Sequence, residues 1–133
     1  MSSYQLKELS PSVLKAHEAT EEALLQEVIN ILKRDGGLRE PIIVDQNTLV
    51  ILDGHHRYEA CKRLGFEKIP CVMVDYHSES VEVLPRRADI KVSKAEVIRR
   101  GLSGELYPPK TTKHIFHGLK ADLGWYKMGE DGS

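Results

Sequence analysis

The chain has 133 residues, 41% of them hydrophobic and 29% charged, with a formal net charge of −1. That length suits one domain over 1–133 that buries a core without staples, and the near-neutral balance supplies no global basic field for nucleic acid. No run approaches the roughly 20 apolar residues that cross a bilayer, and Met1-Ser2-Ser3-Tyr4-Gln5 lacks a signal-peptide core, so a soluble cytoplasmic protein is expected.

From Tyr4 to Leu14 the apolar spacing is irregular around Pro11 and reads as a short strand or extended entry followed by a turn. His17-Glu18 then precedes a clear helix over Glu21 to Arg34, where Leu24, Leu25, Val28, Ile31 and Leu32 recur at helical spacing. Thr20 is its expected N-cap and Asp35-Gly36-Gly37 its stop. It reads as a packing helix that holds Glu18 at a fixed entry point. Taken alone, Glu18 is an ordinary carboxylate favourable to a helix dipole.

Pro41-Ile42-Ile43-Val44 and Thr48-Leu49-Val50-Ile51-Leu52 are β-rich runs joined by Asp45-Gln46-Asn47, the pattern of a hairpin. The second run delivers Asp53-Gly54-His55-His56-Arg57 and then a short helix closed by Gly65. A tight turn that places His55, His56 and Arg57 at a helix start suits an anion, because free backbone N–H groups and the helix dipole already favour negative charge there. A phosphate is the expected guest. Adjacent histidines point roughly 100° apart on a helix, so one ion is not readily shared between them, and Cys61 and Cys71 supply no four-ligand zinc spacing. Both cysteines are expected to be buried free thiols.

Lys68 to Val74 is nearly all apolar and predicts a strand buried on both faces. Val81 to Leu84 predicts a further strand stopped by Pro85, and Ser93-Lys94-Ala95-Glu96 has capping-box spacing for a helix through Arg100 that Gly101 ends. Arg86, Arg87, Lys91, Lys94, Arg99 and Arg100 form the most basic stretch, read as a solvated face. Tyr107-Pro108-Pro109-Lys110 is extended by its prolines, and Thr111 to Phe116 starts a strand or a new helix. In the tail, about 118–133, Trp125 and Tyr126 are candidates to pack back and Glu130 to Ser133 to fray.

The run LDGHHRYEACKRLG resembles the signature of the ParB/sulfiredoxin-like fold, in the variant found in archaeal free serine kinases, where DGHHR lies at the nucleotide phosphates. His17-Glu18 resembles their His-Glu pair, which carries the catalytic glutamate, and Tyr107 to His114 resembles their C-terminal PKTTRH-like segment. The resemblance implies an α+β fold, a compact ParB/sulfiredoxin-like domain with a small mixed sheet packed with short helices. It implies Glu18 as general base on the hydroxyl of L-serine and Asp53 placing Mg²⁺ or the hydroxyl. Gly54, His55, His56, Arg57, Lys110, Thr111, Thr112 and His114 would bind the phosphates of ADP or ATP, giving O-phosphoserine for cysteine biosynthesis.

Departures from the family are specific. The archaeal kinases are longer, with a domain inserted where this chain has only one short helix between about Leu84 and Leu106, and Ala16 stands where they have proline. A ParB-like nucleotide-binding regulatory module is the alternative, although ParB partition proteins have a GERR-like signature and a further DNA-binding domain. Sulfiredoxin needs a cysteine where this chain has His55, which argues against thiol repair.

Overall fold

The computed structural model describes residues 5–38 and 40–119; the expectations for the first residues and for Trp125, Tyr126 and the terminal stretch lie outside them. Strand β1 (Gln5–Leu9), a 3-10 turn (Pro11–Val13), α1 (Glu22–Asp35), β2 (Ile42–Asp45), β3 (Ile51–Asp53), α2 (His55–Arg63), β4 (Ile69–Val74), β5 (Val81–Pro85), α3 (Lys94–Ser103) and β6 (Thr112–Phe116) follow in that order. The main sheet runs β1-β4-β2-β3, with β2 parallel to β4 and the other two pairings antiparallel. β5 and β6 form a separate antiparallel pair. This is the α+β arrangement with a small mixed sheet that the family resemblance implies.

Side chains alternate across a strand, and the sheet uses both of its faces. Ile42, Val44, Ile51, Ile69, Cys71 and Met73 join Leu25, Ile29 and Leu32 of α1 in one core. Ile43, Leu52, Val72 and Val74 point the other way, into a second core with Tyr76, Val81, Val97 and Tyr107. β4 is buried at all of its positions, as its apolar run predicts. Its two-sided burial comes from helices α1 and α2 on one face and the β5–β6 pair with α3 on the other. Cys61 and Cys71 are free and buried, and burial pushes each thiol up to about 12.

Helix boundaries differ from expectation in two places. The residue at the N-cap of α1 is Glu21 rather than Thr20, and no side chain caps that end. α3 runs through Gly101 and stops at Gly104, whose φ of 82° lies in the left-handed region. Gly101 is buried against Val50, where a Cβ would come within 2.6 Å of a methyl carbon, so this glycine marks a close helix–sheet approach rather than a stop. Ser93 caps α3 as expected by accepting from the Glu96 N–H. The Glu96 carboxylate turns instead to Arg99 and Arg100.

Candidate active site

β3 ends at Asp53 and hands the chain to Gly54, whose φ is 103°. A Cβ there would lie 2.6 Å from Ile42 and 2.9 Å from the Arg57 guanidinium, so both the backbone conformation and the space require glycine. α2 begins at His55 with no side-chain cap. Its first N–H groups, and the positive end of its dipole, are therefore left to whatever fills the cleft beside them. Arg57 donates to Glu40 at 3.0 Å and, weakly, to Asp53 at 3.5 Å. This places the guanidinium across the mouth of the turn.

Glu18 reaches the same cleft from the other end of the chain. Its segment pairs with Tyr107: the Tyr107 N–H donates to the His17 carbonyl at 2.9 Å and the Ala19 N–H to the Tyr107 carbonyl at 2.8 Å. Glu18 Oε2 accepts from the Lys110 N–H at 2.9 Å, and Oε1 accepts from the N–H and the hydroxyl of Thr112 at 3.0 and 2.7 Å. Hydrogen bonds to an ionised group contribute about 1.5–3 kcal/mol each. Lys110 adopts a φ of 59°, a conformation that costs a non-glycine residue on the order of 1 kcal/mol. Those carboxylate bonds offset that strain.

The signature histidines grip this segment from both sides. His55 Nε2 accepts from the His17 N–H at 3.1 Å, and His56 Nε2 accepts from the Glu21 N–H at 3.0 Å. Burial, reinforced by neighbouring His17, His114 and His56, holds His55 well below the ordinary histidine range, which keeps it neutral and able to accept. Burial also lowers His56, opposed by the charges of Glu18 and Glu21. Both histidines line the cleft. Expected at the phosphates, the two histidines have a further task, in seating the loop that carries Glu18.

Two other expected phosphate ligands are placed elsewhere. Thr111 is fully buried and donates to the Pro108 carbonyl at 2.6 Å. His114 Nε2 accepts from the Tyr76 hydroxyl at 2.7 Å, and burial, with His17 and Lys94 nearby, lowers its pKa to about 3. Neither lines the cleft. They build the wall behind it.

The cleft encloses about 330 Å³ between Leu24, Val28 and Leu52 on its apolar side and Glu18, Asp53, Arg57, Arg86, Lys110 and Thr112 on its polar side. Leu24 and Val28 are half-buried, one step around α1 from the core residues Leu25, Ile29 and Leu32. The helix thus lends an apolar wall to the site, beyond the packing role its periodicity indicates. Arg86 is the other missed residue. Its N–H donates to the Thr111 carbonyl at 2.8 Å, continuing the β5–β6 pairing beyond Pro85 and turning part of the basic stretch toward the cleft. Neither Arg86 nor Lys110 has an ion-pair partner among the described residues. Most other members of the basic stretch are tied locally, Arg87 to Pro109, Lys94 to Ser78, and Arg99 and Arg100 to Glu96.

Residues 1–84, which include Glu18 and the whole signature turn, match the ParB N-terminal domain. The chain belongs to that family. It is 53% identical over 83 residues to a ParB-like protein of Sulfolobus acidocaldarius, covering 62% of this chain and 41% of that one. It is 37% identical over 125 residues to an ATP-dependent L-serine kinase of Desulfurococcus mucosus, covering 86% of this chain and 49% of the relative. The chain thus spans about half the length of the curated relatives it matches. A solved free serine kinase in complex with AMP superposes with a TM-score of 0.75 at 17% identity, over 84% of this chain and 87% of that one. At that identity the likeness is one of fold.

For this member of the ParB N-terminal domain family, a metal has limited protein support. Among the described residues no group of three or more His, Cys, Asp or Glu side chains is placed to hold one. Asp53 has an exposed carboxylate at the cleft, held among the described residues by the long contact to Arg57 alone. That fits Mg²⁺, which keeps several waters and is commonly bound through one or two carboxylates together with substrate phosphates. No helix among the described residues is long and apolar enough to cross a membrane.

Proposed function

We propose that this chain transfers a phosphoryl group from ATP or ADP to the hydroxyl of free L-serine, giving O-phosphoserine. The observation that carries the reading is the pairing of a fixed carboxylate with an anion site: Glu18 stands at a cleft whose opposite edge is an uncapped helix start flanked by Arg57, Arg86 and Lys110. Phosphoryl transfer asks mainly for positioning and charge neutralisation, plus a group that takes the acceptor's proton. The named activity of the Desulfurococcus mucosus relative supports L-serine as the acceptor.

In this reading the nucleotide lays its phosphates on the N–H groups of α2, beneath Arg57 and Lys110, and its base or ribose against Leu24 and Val28. Arg86 contributes a further positive charge for the transferred group or for the carboxylate of serine. Mg²⁺ bound with the nucleotide would rest on Asp53 and neutralise phosphate charge. Glu18 Oε2 has one protein donor, so a lone pair remains for the serine hydroxyl. The hydroxyl proton passes to Glu18 as its oxygen bonds to phosphorus, and the bond from that phosphorus to the nucleotide's bridging oxygen breaks. Such chemistry belongs in the cytoplasm, where nucleotide and free serine meet.

A nucleotide-dependent regulatory module is the second reading, favoured by the 53% identity to a ParB-like protein across the half that contains the signature turn. One assay separates them. Purified protein is incubated with Mg²⁺, L-serine and either ATP or ADP, and O-phosphoserine is followed by mass. Product with either donor supports the kinase. Absence of product with both, while calorimetry records nucleotide binding, favours the module.

A further inference from the structure

The hydroxyl of Thr112 faces two acceptors and has one hydrogen. Glu18 Oε1 lies 2.7 Å away and His17 Nε2 lies 3.1 Å away on the buried side. The other ring nitrogen of His17 fixes the tautomer: Nδ1 is 2.6 Å from the Ile51 carbonyl, which can only accept, so Nδ1 carries the proton. His17 is fully buried, and burial lowers its pKa to about 4, so near neutral pH a second proton on Nε2 is disfavoured. Nε2 is then a bare lone pair whose one near partner among the described residues is that hydroxyl.

Among the described residues no other donor lies within hydrogen-bond distance of Nε2, and the buried Tyr107 hydroxyl, though unpartnered, does not reach it. The rings of His55, His114 and Tyr107 pack edge-on around His17, with centroids 4.5, 5.7 and 6.2 Å away. His55 Nε2 is spent on the His17 N–H and His114 Nε2 on Tyr76. On the cleft side, Glu18 is faced by Lys110, His56 and Thr112.

We propose that His17 is a positioning residue that acts on Glu18 through Thr112: the hydroxyl hydrogen lies on Glu18 while the carboxyl is ionised, and turns to His17 Nε2 when the carboxyl becomes neutral. A carboxylate is the stronger acceptor and takes the hydrogen, leaving Nε2 without a partner, an unfavourable state for a buried acceptor. Once Glu18 has taken up a proton, on Oε2 in the mechanism above, Oε1 belongs to a neutral carboxyl that accepts less well than imidazole nitrogen. The hydrogen then rotates to Nε2, and Oε1 keeps the Thr112 N–H. No covalent bond to His17 forms and no charge enters the buried wall. The lone pair of His17 thereby gives the Thr112 hydroxyl a second acceptor at the stage when Glu18 carries the proton of the acceptor hydroxyl. That catalytic meaning rests on Glu18 being the base; the coupling itself does not.

The test is ¹⁵N NMR of His17 in the full chain at neutral pH, which reports which ring nitrogen carries the proton and whether the other is hydrogen-bonded. In the wild type, Nδ1 should be protonated and Nε2 should resonate as a free lone pair. In Glu18→Gln, whose side chain is neutral, Nε2 should move upfield to a hydrogen-bonded position. Adding Thr112→Val to that variant should return it to the free position, and adding Thr112→Ser should keep it displaced. A proton on Nε2 in the wild type overturns the proposal without any variant, and so does an unchanged Nε2 resonance in Glu18→Gln. Because no readout is a turnover rate, a chain that makes no O-phosphoserine but shows the displacement refutes the kinase reading and retains the coupling.

Discussion

Two turns meet at the cleft, and they are specified in opposite ways. The turn from Asp53 to Arg57 is local: one glycine with left-handed φ, an uncapped helix start and a guanidinium one helical turn from Asp53. The segment bearing Glu18 has almost no local structure, and its shape comes from partners far along the chain, His55 and His56 in front and Tyr107, Lys110 and Thr112 behind. A local turn keeps its geometry through backbone sterics. A carboxylate held from a distance depends on three separate segments folding together, and the buried histidines are where that dependence is concentrated.

Acid should break the second arrangement first. His17 and His114 have pKa values lowered to about 4 and about 3, and His55 is lowered as well, in each case chiefly by burial. The unfolded chain therefore binds more protons once pH drops below the ordinary histidine value near 6.5, and stability falls as pH decreases from there toward 4. The His17 shift alone corresponds to roughly 3 kcal/mol over that window. Urea unfolding at pH 7, 5.5 and 4.5 should show a steadily falling midpoint. A flat profile would mean that these histidines are not neutral in the folded protein.

The local turn is broken by Gly54→Ala, which combines a strained φ with an overlap against Ile42. A loss of about 1–3 kcal/mol is expected from denaturant unfolding, together with loss of nucleotide binding by calorimetry. Arg57→Ala is gentler. It should weaken nucleotide binding about tenfold or somewhat more, the worth of one charge-assisted contact, while the Glu18 hydrogen bonds, and hence the His17 and His56 resonances, stay as they are. The smallest effect should come from Arg63→Ala, which removes an exposed ion pair to Glu22 between α1 and α2. Its effect on the unfolding midpoint should be barely detectable, because an exposed pair is screened by solvent. A larger loss would show that the packing of α1 over the cleft relies on that pair.

The same division decides how far the sequence alone could be read. The main sheet, the two long helices and the signature turn follow from apolar spacing and from glycine and proline punctuation, all of which act over a few residues. In sequence Gly101 reads as a stop, because a helix-terminating glycine and one pressed against Val50 look alike until the sheet is in place. Thr20 failed as a cap for a related reason: the entry to α1 is fixed by His56 holding the Glu21 N–H, a contact between residues 35 apart. At the site, the residues expected on the DGHHR turn and at Glu18, Lys110 and Thr112 do gather at one cleft. Thr111 and His114 do not: Thr111 turns back onto the Pro108 carbonyl in the turn before β6, and His114, on the same face of β6 as Thr112 but two residues further along, is taken up by Tyr76 and the His17 ring. Leu24, Val28 and Arg86 carried no signal distinguishing a cleft wall from an ordinary helix face or a solvated arginine.

The most direct test of the account is Glu18→Gln, with turnover and nucleotide affinity measured on the same preparation. The account predicts that O-phosphoserine formation falls by roughly 10²–10⁴, as expected for loss of a positioned general base, while the dissociation constant for the nucleotide changes by about threefold or less. Turnover near the wild-type rate in that variant would contradict it.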